Sequence, residues 1–385
     1  MRVLIAAESY APSVNGVANS VARLQEHLIR RGHQVMVIAP DPGPTEVDGV
    51  EVVRVRSRPL PFYRGVTVGF PSSQLVLGVL DRFEPDVVHL AAPVSLGARV
   101  AREAAARDLP IVAIFQTDLS GFARSYGLGS TSGAVWRWLR HVHRFADVTL
   151  APSTATADEL NANAIPRVGI WGRGVDGRLF APHRRSDTWR RELLGADDQR
   201  TVIGYVGRLA REKRIDLLAG VDQWTNSKVV IVGDGPARTD LERQLPDAHF
   251  TGMLSGPALA EALASFDVFA HTGAHETFCQ TVQEAMASGV AVVAPAAGGP
   301  LDLVEHGGTG LLYRPEDAES LHGSIRVLIE QPELRRQMGE AGHRRTVGRT
   351  WERVCDDLID VYDHCRRSRP GRGGIQPART VRVAS

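Results

Sequence analysis

Hydrophobic and polar positions along the chain alternate between short apolar runs and stretches with helical spacing. Residues 2–8, RVLIAAE, form a continuous apolar run that is typical of a parallel strand covered on both faces. Residues 17–32 repeat apolar side chains every three or four positions and end on Gly32, a residue that favours helix termination. Residues 33–40 are apolar again. A strand, a loop, a helix and a second strand predict a parallel α/β sheet.

The same alternation continues in two series of elements. Further strands are predicted at 50–56, 85–93, 110–118, 146–153, 201–209, 227–236, 267–273 and 290–295. Further helices are predicted at 94–107, 132–145, 154–163, 212–221, 257–266, 279–289, 317–330 and 333–346. Between the two series, residues 171–184 are rich in Gly, Pro and Arg, which indicates a hinge.

We therefore predict an α/β architecture of two doubly wound, Rossmann-like domains that face each other across a cleft. The domains are expected at 1–171 and 172–350, and a helix at 351–365 is expected to return to the first domain. In such sheets, ligands bind beyond the carboxyl ends of the strands, near helix N-termini.

Composition agrees with an ordinary globular protein of two medium domains. The chain has 385 residues, of which 43% are hydrophobic and 23% charged, and this excludes disordered and collagen-like chains. Its three cysteines have no metal-ligand spacing, so a disulfide framework and a structural zinc site are not expected. Because there is no 18-residue apolar run and no signal-peptide layout, we expect a cytoplasmic protein without a transmembrane helix.

Charge is concentrated at the C-terminus. The whole chain has a formal net charge of +1, yet residues 366–385 hold six Arg and no acid. This tail is predicted to be a disordered basic arm. It could contact anionic lipid or nucleic acid, or simply be solvated.

The first strand–helix loop does not match a dinucleotide site. Its sequence, ESYAPSVNG, lacks the G-x-G-x-x-G pattern, which disfavours NAD and FAD. Gly16 could let backbone amides approach a phosphate, or it could simply follow an N-cap.

The lysines indicate where a diphosphate could bind. Only Lys213 and Lys228 occur, whereas the other basic residues are arginine. Lys213 lies in GRLAREKRID just past a predicted strand, where it could converge with Arg208 on one anionic group. The alternative is a solvated helix start. The VGDGP turn around Gly233 is a weaker signal, and a plain turn is its ordinary meaning.

The segment HTGAHETFCQTVQEAMASG is the most informative. A helix is predicted to begin near Phe278, and the amides of Phe278, Cys279 and Gln280 would be first-turn donors. Glu276 lies just before the helix and Glu284 eight residues on, so both carboxylates share one face if the helix extends back. The result would be an anion site with a carboxylate on each side. Alternatively, Glu276 is an N-terminal helix acid and Glu284 a solvated surface acid.

Two first-domain segments could serve an acceptor. Asp118, at the end of a predicted strand, could meet a substrate hydroxyl together with Tyr126, or it could cap a helix. The helix at 132–145 carries Trp136 and Trp138 among arginines, a pattern compatible with membrane-surface contact or with packing against the domain.

Taken in order, these segments resemble retaining glycosyltransferases of family 4. The match runs through the loop at 9–16, GRGVD at 172–176, GRLAREKRID, Glu276-x7-Glu284 and GGTGLLY at 307–313. The narrower resemblance is to actinobacterial GDP-mannose-dependent α-mannosyltransferases that act on glycolipids. It implies the GT-B fold.

The resemblance also implies residue roles. Gly16 would lie against the donor phosphate. Arg208 and Lys213 would clamp the diphosphate. Glu276 would bind sugar hydroxyls of the donor, and Glu284 would accept bonds from the ribose hydroxyls.

The remaining donor contacts would come from three further segments. The amides of Phe278, Cys279 and Gln280 would hold phosphate and sugar oxygens. The Gly233 turn and the segment near Met253 would line the base pocket.

Four residues are therefore the candidate catalytic groups: Glu276, Arg208, Lys213 and Asp118. One departure from the family pattern concerns Gln116-Thr117, where many relatives carry His-Thr. Gln116 cannot act as a base, although it can hydrogen-bond a sugar hydroxyl.

The implied activity is a retaining, metal-independent transfer of a hexose, mannose from GDP-mannose, to a glycolipid or glycan. The donor is a co-substrate and no cofactor is expected. The expected partners are a nucleotide sugar, a lipid or glycan acceptor and anionic membrane at the inner face of the cell membrane, and no nucleic acid. The alternatives are a UDP-sugar-dependent glycolipid glycosyltransferase (glucosyl, glucuronosyl or sulfoquinovosyl), a sugar-nucleotide epimerase and a non-catalytic nucleotide-sugar binder.

Overall fold

A computed structural model describes residues 1–13, 15–59, 67–117, 132–195 and 199–368. The chain divides into two compact units. One comprises residues 1–173 with the C-terminal helix, and the other comprises Gly174–Thr350. Among the described residues, no helix combines the length and apolarity needed to cross a bilayer.

The first unit is built on an eight-stranded sheet in the order β10-β9-β8-β7-β1-β2-β4-β3. The strands are β1 (Arg2–Ala7), β2 (Gln34–Pro40), β3 (Glu46–Val47), β4 (Val50–Val55), β7 (Val87–Ala91), β8 (Ile111–Ile114), β9 (Val148–Ala151) and β10 (Val168–Ile170). All neighbours pair in parallel except β3 and β4. A separate antiparallel hairpin joins β5 (Ser57–Pro59) to β6 (Thr67–Gly69).

Helices cover this sheet on both faces. They are Gly16–Arg30, Ser73–Phe83, Leu96–Ala106, Ser132–His143, Thr154–Ala162 and Trp351–Arg367. The last helix buries Val354, Leu358 and Tyr362 in the same core as β1. The Trp171 indole donates to the carbonyl of Val354 at 2.7 Å, and the Tyr362 hydroxyl lies 2.7 Å from His89 Nδ1. The apolar stripe read from the sequence is therefore a core face of the first unit.

The second unit contains a fully parallel six-stranded sheet in the order β13-β12-β11-β14-β15-β16. Its strands are β11 (Thr201–Val206), β12 (Ser227–Val232), β13 (His249–Gly252), β14 (Val268–Ala270), β15 (Ala291–Pro295) and β16 (Gly310–Tyr313). Its helices are Asp187–Leu194, Arg238–Gln244, Gly256–Ala264, Gln280–Ala287, Pro300–Leu303, Ala318–Glu330 and Pro332–Thr346. Both sheets reverse their strand order once, as Rossmann-like sheets do.

The predicted helix at 212–221 is wrong. The segment forms two short 3-10 turns, Arg211–Lys213 and Ile215–Leu218, separated by Arg214 at φ 49°. A left-handed residue cannot continue a helix. The other predicted strands and helices agree with the structure to within a few residues. The sequence analysis did not predict the helices Ser73–Phe83, Asp187–Leu194, Arg238–Gln244 and Pro300–Leu303, nor the strands β3, β5, β6, β10, β13 and β16.

Candidate active site

The strand order of the second sheet reverses between β11 and β14, which are neighbours at its centre. The loop after β11 contains Arg208 and the 3-10 turn with Lys213, and the loop after β14 contains His271 and Glu276. Carboxyl ends of adjacent parallel strands lie at one edge of the sheet, and the crevice at such a reversal is where doubly wound sheets bind ligands. Topology therefore brings these four residues to one place.

Lys213 and Glu276 form the central ion pair. Lys213 Nζ lies 2.5 Å from Glu276 Oε1, and the side chains are 24% and 19% exposed. Burial alone would raise the pKa of Glu276, but the Lys213 ammonium and His271 outweigh it and hold that pKa well below its usual range. Burial likewise opposes the charge of Lys213, whose pKa is nevertheless raised because of Glu276. Both groups are ionised at neutral pH.

The Lys213 turn is tied to the opposite loop through its backbone. The Thr272 hydroxyl donates to the carbonyl of Lys213 at 2.6 Å, and the Tyr313 hydroxyl donates to the carbonyl of Thr272 at 3.2 Å. These bonds hold the backbone of Lys213 against the loop that carries Glu276.

His271 is a site residue that the sequence did not reveal. It is buried, stacks on Tyr205 with centroids 6.3 Å apart, and places Nε2 3.5 Å from Glu276 Oε1. Burial lowers the pKa of His271, but Cys279 and Glu276 outweigh it and raise the pKa to about 10. Two cationic side chains, Lys213 and His271, therefore contact one carboxylate, and Arg208 lies on the same loop as Lys213. This surplus of positive charge suits an anion such as a diphosphate.

Glycines hold the loop that carries Arg208. A Cβ at Gly233 would stand 1.9 Å from the carbonyl oxygen of Gly207, and Gly233 has φ 138°. The Tyr205 hydroxyl donates to the carbonyl of Arg208 at 3.4 Å. The Gly233 amide donates to Gly252 at 2.8 Å, which places the predicted base-pocket turn beside the residue preceding Met253. Met253 itself is 70% exposed.

A second glycine pair supports the Glu276 loop. The Gly299 amide donates to the carbonyl of Glu276 at 2.8 Å. A Cβ at Gly298 would lie 2.4 Å from the carbonyl oxygen of Glu276, and one at Gly299 would lie 2.1 Å from that of Phe278. Only glycine lets the backbone at 298–299 come this close to the backbone of the Glu276 loop. The GGP sequence was therefore the feature from which this contact could have been predicted.

The helix after this loop starts later than expected. It spans Gln280–Ala287, and its N-cap Cys279, at φ 75°, makes no side-chain capping bond. The helix does not extend back to Glu276, so the expected shared helix face of Glu276 and Glu284 is wrong. The amides of Phe278 and Cys279 precede the helix, and the Phe278 side chain packs in the core. Glu284 is 9% exposed, so it is not a solvated surface acid.

One set of donor atoms could reach a metal. The Cys279 thiol, a His271 ring nitrogen and a Glu276 oxygen lie within 4.8 Å of one another, a donor set that suits Zn²⁺. However, the Lys213 ammonium already forms an ion pair with the Glu276 carboxylate, and its positive charge repels a divalent cation at this place. The charges favour an anion.

The remaining candidates belong to the first unit. Asn15 caps the first helix by accepting bonds from the amides of Val17 and Ala18, which is the simpler of the two expectations for this turn. Arg173 packs against Gly16, donating to its carbonyl at 3.1 Å, and also donates to Gln116 Oε1 at 2.8 Å. The sequence did not single out Arg173. Asp118 and Tyr126 lie outside the described residues.

A buried carboxyl lies at the order reversal of the first sheet, where β1 meets β7. Glu8 follows β1, and its Oε1 accepts bonds from the amides of Val94 at 2.8 Å and Gly97 at 3.0 Å. Burial raises the pKa of Glu8 to about 7, although these backbone bonds oppose the shift.

Two family descriptions match the chain, one in each half. "Glycosyltransferase Family 4" covers residues 14–178 and "Glycosyl transferases group 1" covers residues 186–345. A protein called GDP-mannose-dependent alpha-mannosyltransferase from Mycolicibacterium smegmatis is 50% identical over 94% of this chain and 97% of its own length. One of the same name from Mycobacterium tuberculosis is 47% identical over 96% and 98%. A sulfoquinovosyl transferase of Arabidopsis thaliana is 33% identical over 88% and 68%.

Solved structures agree on the fold. Anabaena HepE, solved with UDP, superposes with a TM-score of 0.78 at 20% identity, covering 94% of this chain and all of that one. A sucrose-phosphate synthase from Thermosynechococcus elongatus gives 0.77 at 18% identity, covering 95% and 99%. These neighbours have the GT-B fold of two Rossmann-like sheets, which confirms the fold class.

Proposed function

Because the chain belongs to the family 4 glycosyltransferases and is thus a hexosyltransferase, we propose that it transfers mannose from GDP-mannose to a glycolipid or glycan with retention of configuration. The relatives that are 41–50% identical over most of the chain carry the name GDP-mannose-dependent alpha-mannosyltransferase. A more distant relative is a phosphatidylinositol dimannoside mannosyltransferase, 28% identical over 93% of the chain, which supports a glycolipid acceptor.

The observation that carries this proposal is the cationic cluster around Glu276. Lys213 and Arg208 would neutralise the charge that develops on the leaving GDP, with help from the N-terminus of Gln280–Ala287. Glu276 would orient sugar hydroxyls, and buried Glu284 would accept from the ribose. The position of Lys213 and Glu276 beyond adjacent strand ends, and the burial of Glu284, support these roles.

Glu276 is poorly suited to act as a nucleophile. Its carboxylate is engaged by Lys213 and its pKa is low, so it is a weak base. We therefore propose attack of the acceptor oxygen on the same face that GDP leaves. The bond between the acceptor oxygen and the anomeric carbon forms as the bond from that carbon to the phosphate oxygen breaks, and the acceptor proton passes to the leaving phosphate. A mannosyl adduct on Glu276, detected by mass spectrometry, would refute this route.

Catalysis without a divalent ion is the next part of the proposal. The ammonium and guanidinium groups supply the positive charge that a metal provides in other transferases. We expect full activity in EDTA. Complete loss of activity that magnesium or manganese restores would refute the charge-clamp account.

We assign acceptor binding to the first unit and propose peripheral attachment at the inner membrane face. The helix Ser132–His143 presents exposed Arg137 and Trp138 and has a basic last turn. The cationic tail beyond residue 368 would add to the attraction for anionic lipid, although it lies outside the described residues.

The donor is the choice to test first. A relative named as a sulfoquinovosyl transferase supports testing a different sugar donor, and a UDP-sugar is the alternative to GDP-mannose. A thermal-shift screen of GDP, UDP, ADP and their sugar conjugates should give the largest stabilisation with GDP and GDP-mannose. A larger shift with a UDP-sugar would select the alternative. Incubation with donor alone separates the other classes, because an epimerase would isomerise the sugar and a non-catalytic binder would show no turnover with any acceptor.

A further inference from the structure

A cavity of about 240 Å³ opens on the first unit, beside the helix Ser132–His143. Its lining combines two exposed aromatic side chains with basic side chains: Phe70, Pro71, Ser95, Ala98, Arg99, Arg102, Trp138 and His141. Three separate segments contribute to it, namely the turn after β6, the helix Leu96–Ala106 and the helix Ser132–His143.

The basic side chains converge from two helices. Arg99 and Arg102 are one turn apart, so they share a helix face. Arg99 donates to the Ser73 hydroxyl at 2.9 Å and lies 3.8 Å from Glu103, which offsets part of its charge. Arg102 is exposed and makes no hydrogen bond or ion pair with any described residue. The cavity therefore has a guanidinium available for an anion.

The aromatic side chains are exposed beside these charges. Phe70 is 54% and Trp138 is 44% exposed, two of the few large apolar side chains that the described residues present to solvent. The Trp138 indole is held in place, because its Nε1 donates to the carbonyl of Val94 at 3.1 Å and its ring stacks on His141 at 5.5 Å. Aromatic rings with a polar tip beside arginine are typical of surfaces at the membrane–water boundary.

We propose that this cavity binds the phosphate-bearing head group of an anionic membrane lipid, with Phe70 and Trp138 entering the acyl boundary. The inference deepens the peripheral attachment proposed above and rests on it. The cavity volume supports a small head group, because pockets that bury drug-sized ligands are typically ~300–1,000 Å³. Exposed aromatic rings beside Arg102 favour a lipid over a free phosphate, which would need no apolar wall.

Vesicle co-sedimentation of the full chain tests the proposal. The parent protein should bind phosphatidylcholine vesicles that contain phosphatidylglycerol and should not bind pure phosphatidylcholine. One basic residue near such a surface is worth about 1 kcal/mol, so Arg102→Gln should reduce partition about fivefold. Trp138→Ala should reduce it at any salt concentration, whereas Arg102→Lys should restore most of the binding. The matched control is Arg344→Gln, an exposed arginine on Pro332–Thr346 in the second unit.

Two readouts keep the outcomes distinct. Brominated lipid should quench parent fluorescence more than that of Trp138→Phe, and an excess of glycerol 3-phosphate should not release the protein from vesicles. Release by glycerol 3-phosphate would identify a soluble phosphate ligand and overturn the lipid assignment. Equal binding of Arg102→Gln and Arg344→Gln, or no binding by the parent, would also overturn it. GDP binding, measured on the same variants, should equal that of the parent. Failure of the parent itself to bind GDP would refute the proposed donor without bearing on the lipid site.

Discussion

Lys213 Nζ contacts Glu276 Oε1 at 2.5 Å, joining the loop after β11 to the loop after β14. The two residues are 63 positions apart in sequence, and they meet because their strands are neighbours at the order reversal of the sheet. In the proposed mechanism, the contact couples the loop that would bind phosphate to the loop that would bind sugar. The folded state also depends on this contact, because a mostly buried carboxylate is costly unless it has an ionic or hydrogen-bonding partner.

This ion pair should show energetic coupling. Lys213→Met and Glu276→Gln should each lower the free energy of unfolding, by up to about 3 kcal/mol, because each leaves a mostly buried charge uncompensated. The double variant should be more stable than the sum predicts, by about 1–3 kcal/mol. Urea unfolding of the four proteins measures this. Strict additivity would mean that the contact contributes nothing.

The raised pKa of His271 predicts a pH-dependent stability. Its folded pKa of about 10 exceeds the ordinary value of 6.5, so its stabilising contribution is complete below about pH 6.5 and is lost as pH rises through 10. The difference in Tm between the parent and His271→Gln should therefore shrink from pH 6.5 to 10. A difference that grows over this range would have the wrong sign.

Glu8 is a buried carboxyl group whose pKa is raised, unlike that of Glu276, and it predicts a second pH-dependent stability. Because its folded pKa of about 7 exceeds the ordinary 4.5, its contribution favours folding below pH 4.5 and is lost as pH rises through 7. At 1.36 kcal/mol per pKa unit, this rise means that ionisation of Glu8 lowers the free energy of unfolding by roughly 3 kcal/mol. Glu8→Gln should therefore raise Tm at pH 8, where the carboxyl group is ionised, and should do so far less at pH 5. Equal effects at the two values would rule out titration of Glu8.

Gly299 should be as important as a side chain of the site. In Gly299→Ala the new methyl group would meet the backbone of Phe278 at 2.1 Å, so the Glu276 loop must move. We expect kcat/KM to fall at least about a hundredfold, since small displacements of positioned groups are costly. Gly323→Ala is the control, because a Cβ there meets nothing within 4 Å. Similar activities of both variants would show that the loop tolerates the shift.

The sequence predicted the interior strands of both sheets because buried parallel strands are continuous apolar runs, as in TVIGYV of β11, whereas the edge strands were missed. It also singled out Arg208, Lys213 and Glu276, whose charges stand out just past strand ends. The helix at 212–221 failed because its apolar spacing is helical, whereas tertiary bonds from Thr272 hold Lys213 in a turn.

Residues that act through packing were harder to find. His271 continues an apolar strand, and a histidine in such a run has the pattern of an ordinary core residue. The reasons for Gly233 and Gly299 are contacts with Gly207 and Phe278, which are 26 and 21 positions away and invisible to local pattern. Spatial approach, rather than composition, determines these positions.

The most direct measurement is calorimetric titration of GDP into the double variant Arg208→Gln/Lys213→Gln. Hydrogen bonds to charged groups contribute about 1.5–3 kcal/mol each, so Kd should rise at least about a hundredfold and turnover should be lost. Lys228→Gln, which changes the only other lysine, a partly exposed residue on β12 that donates to the carbonyl of Asp247, should bind GDP as the parent does. Parental affinity and turnover in the double variant would contradict the claim that these two cations hold the diphosphate.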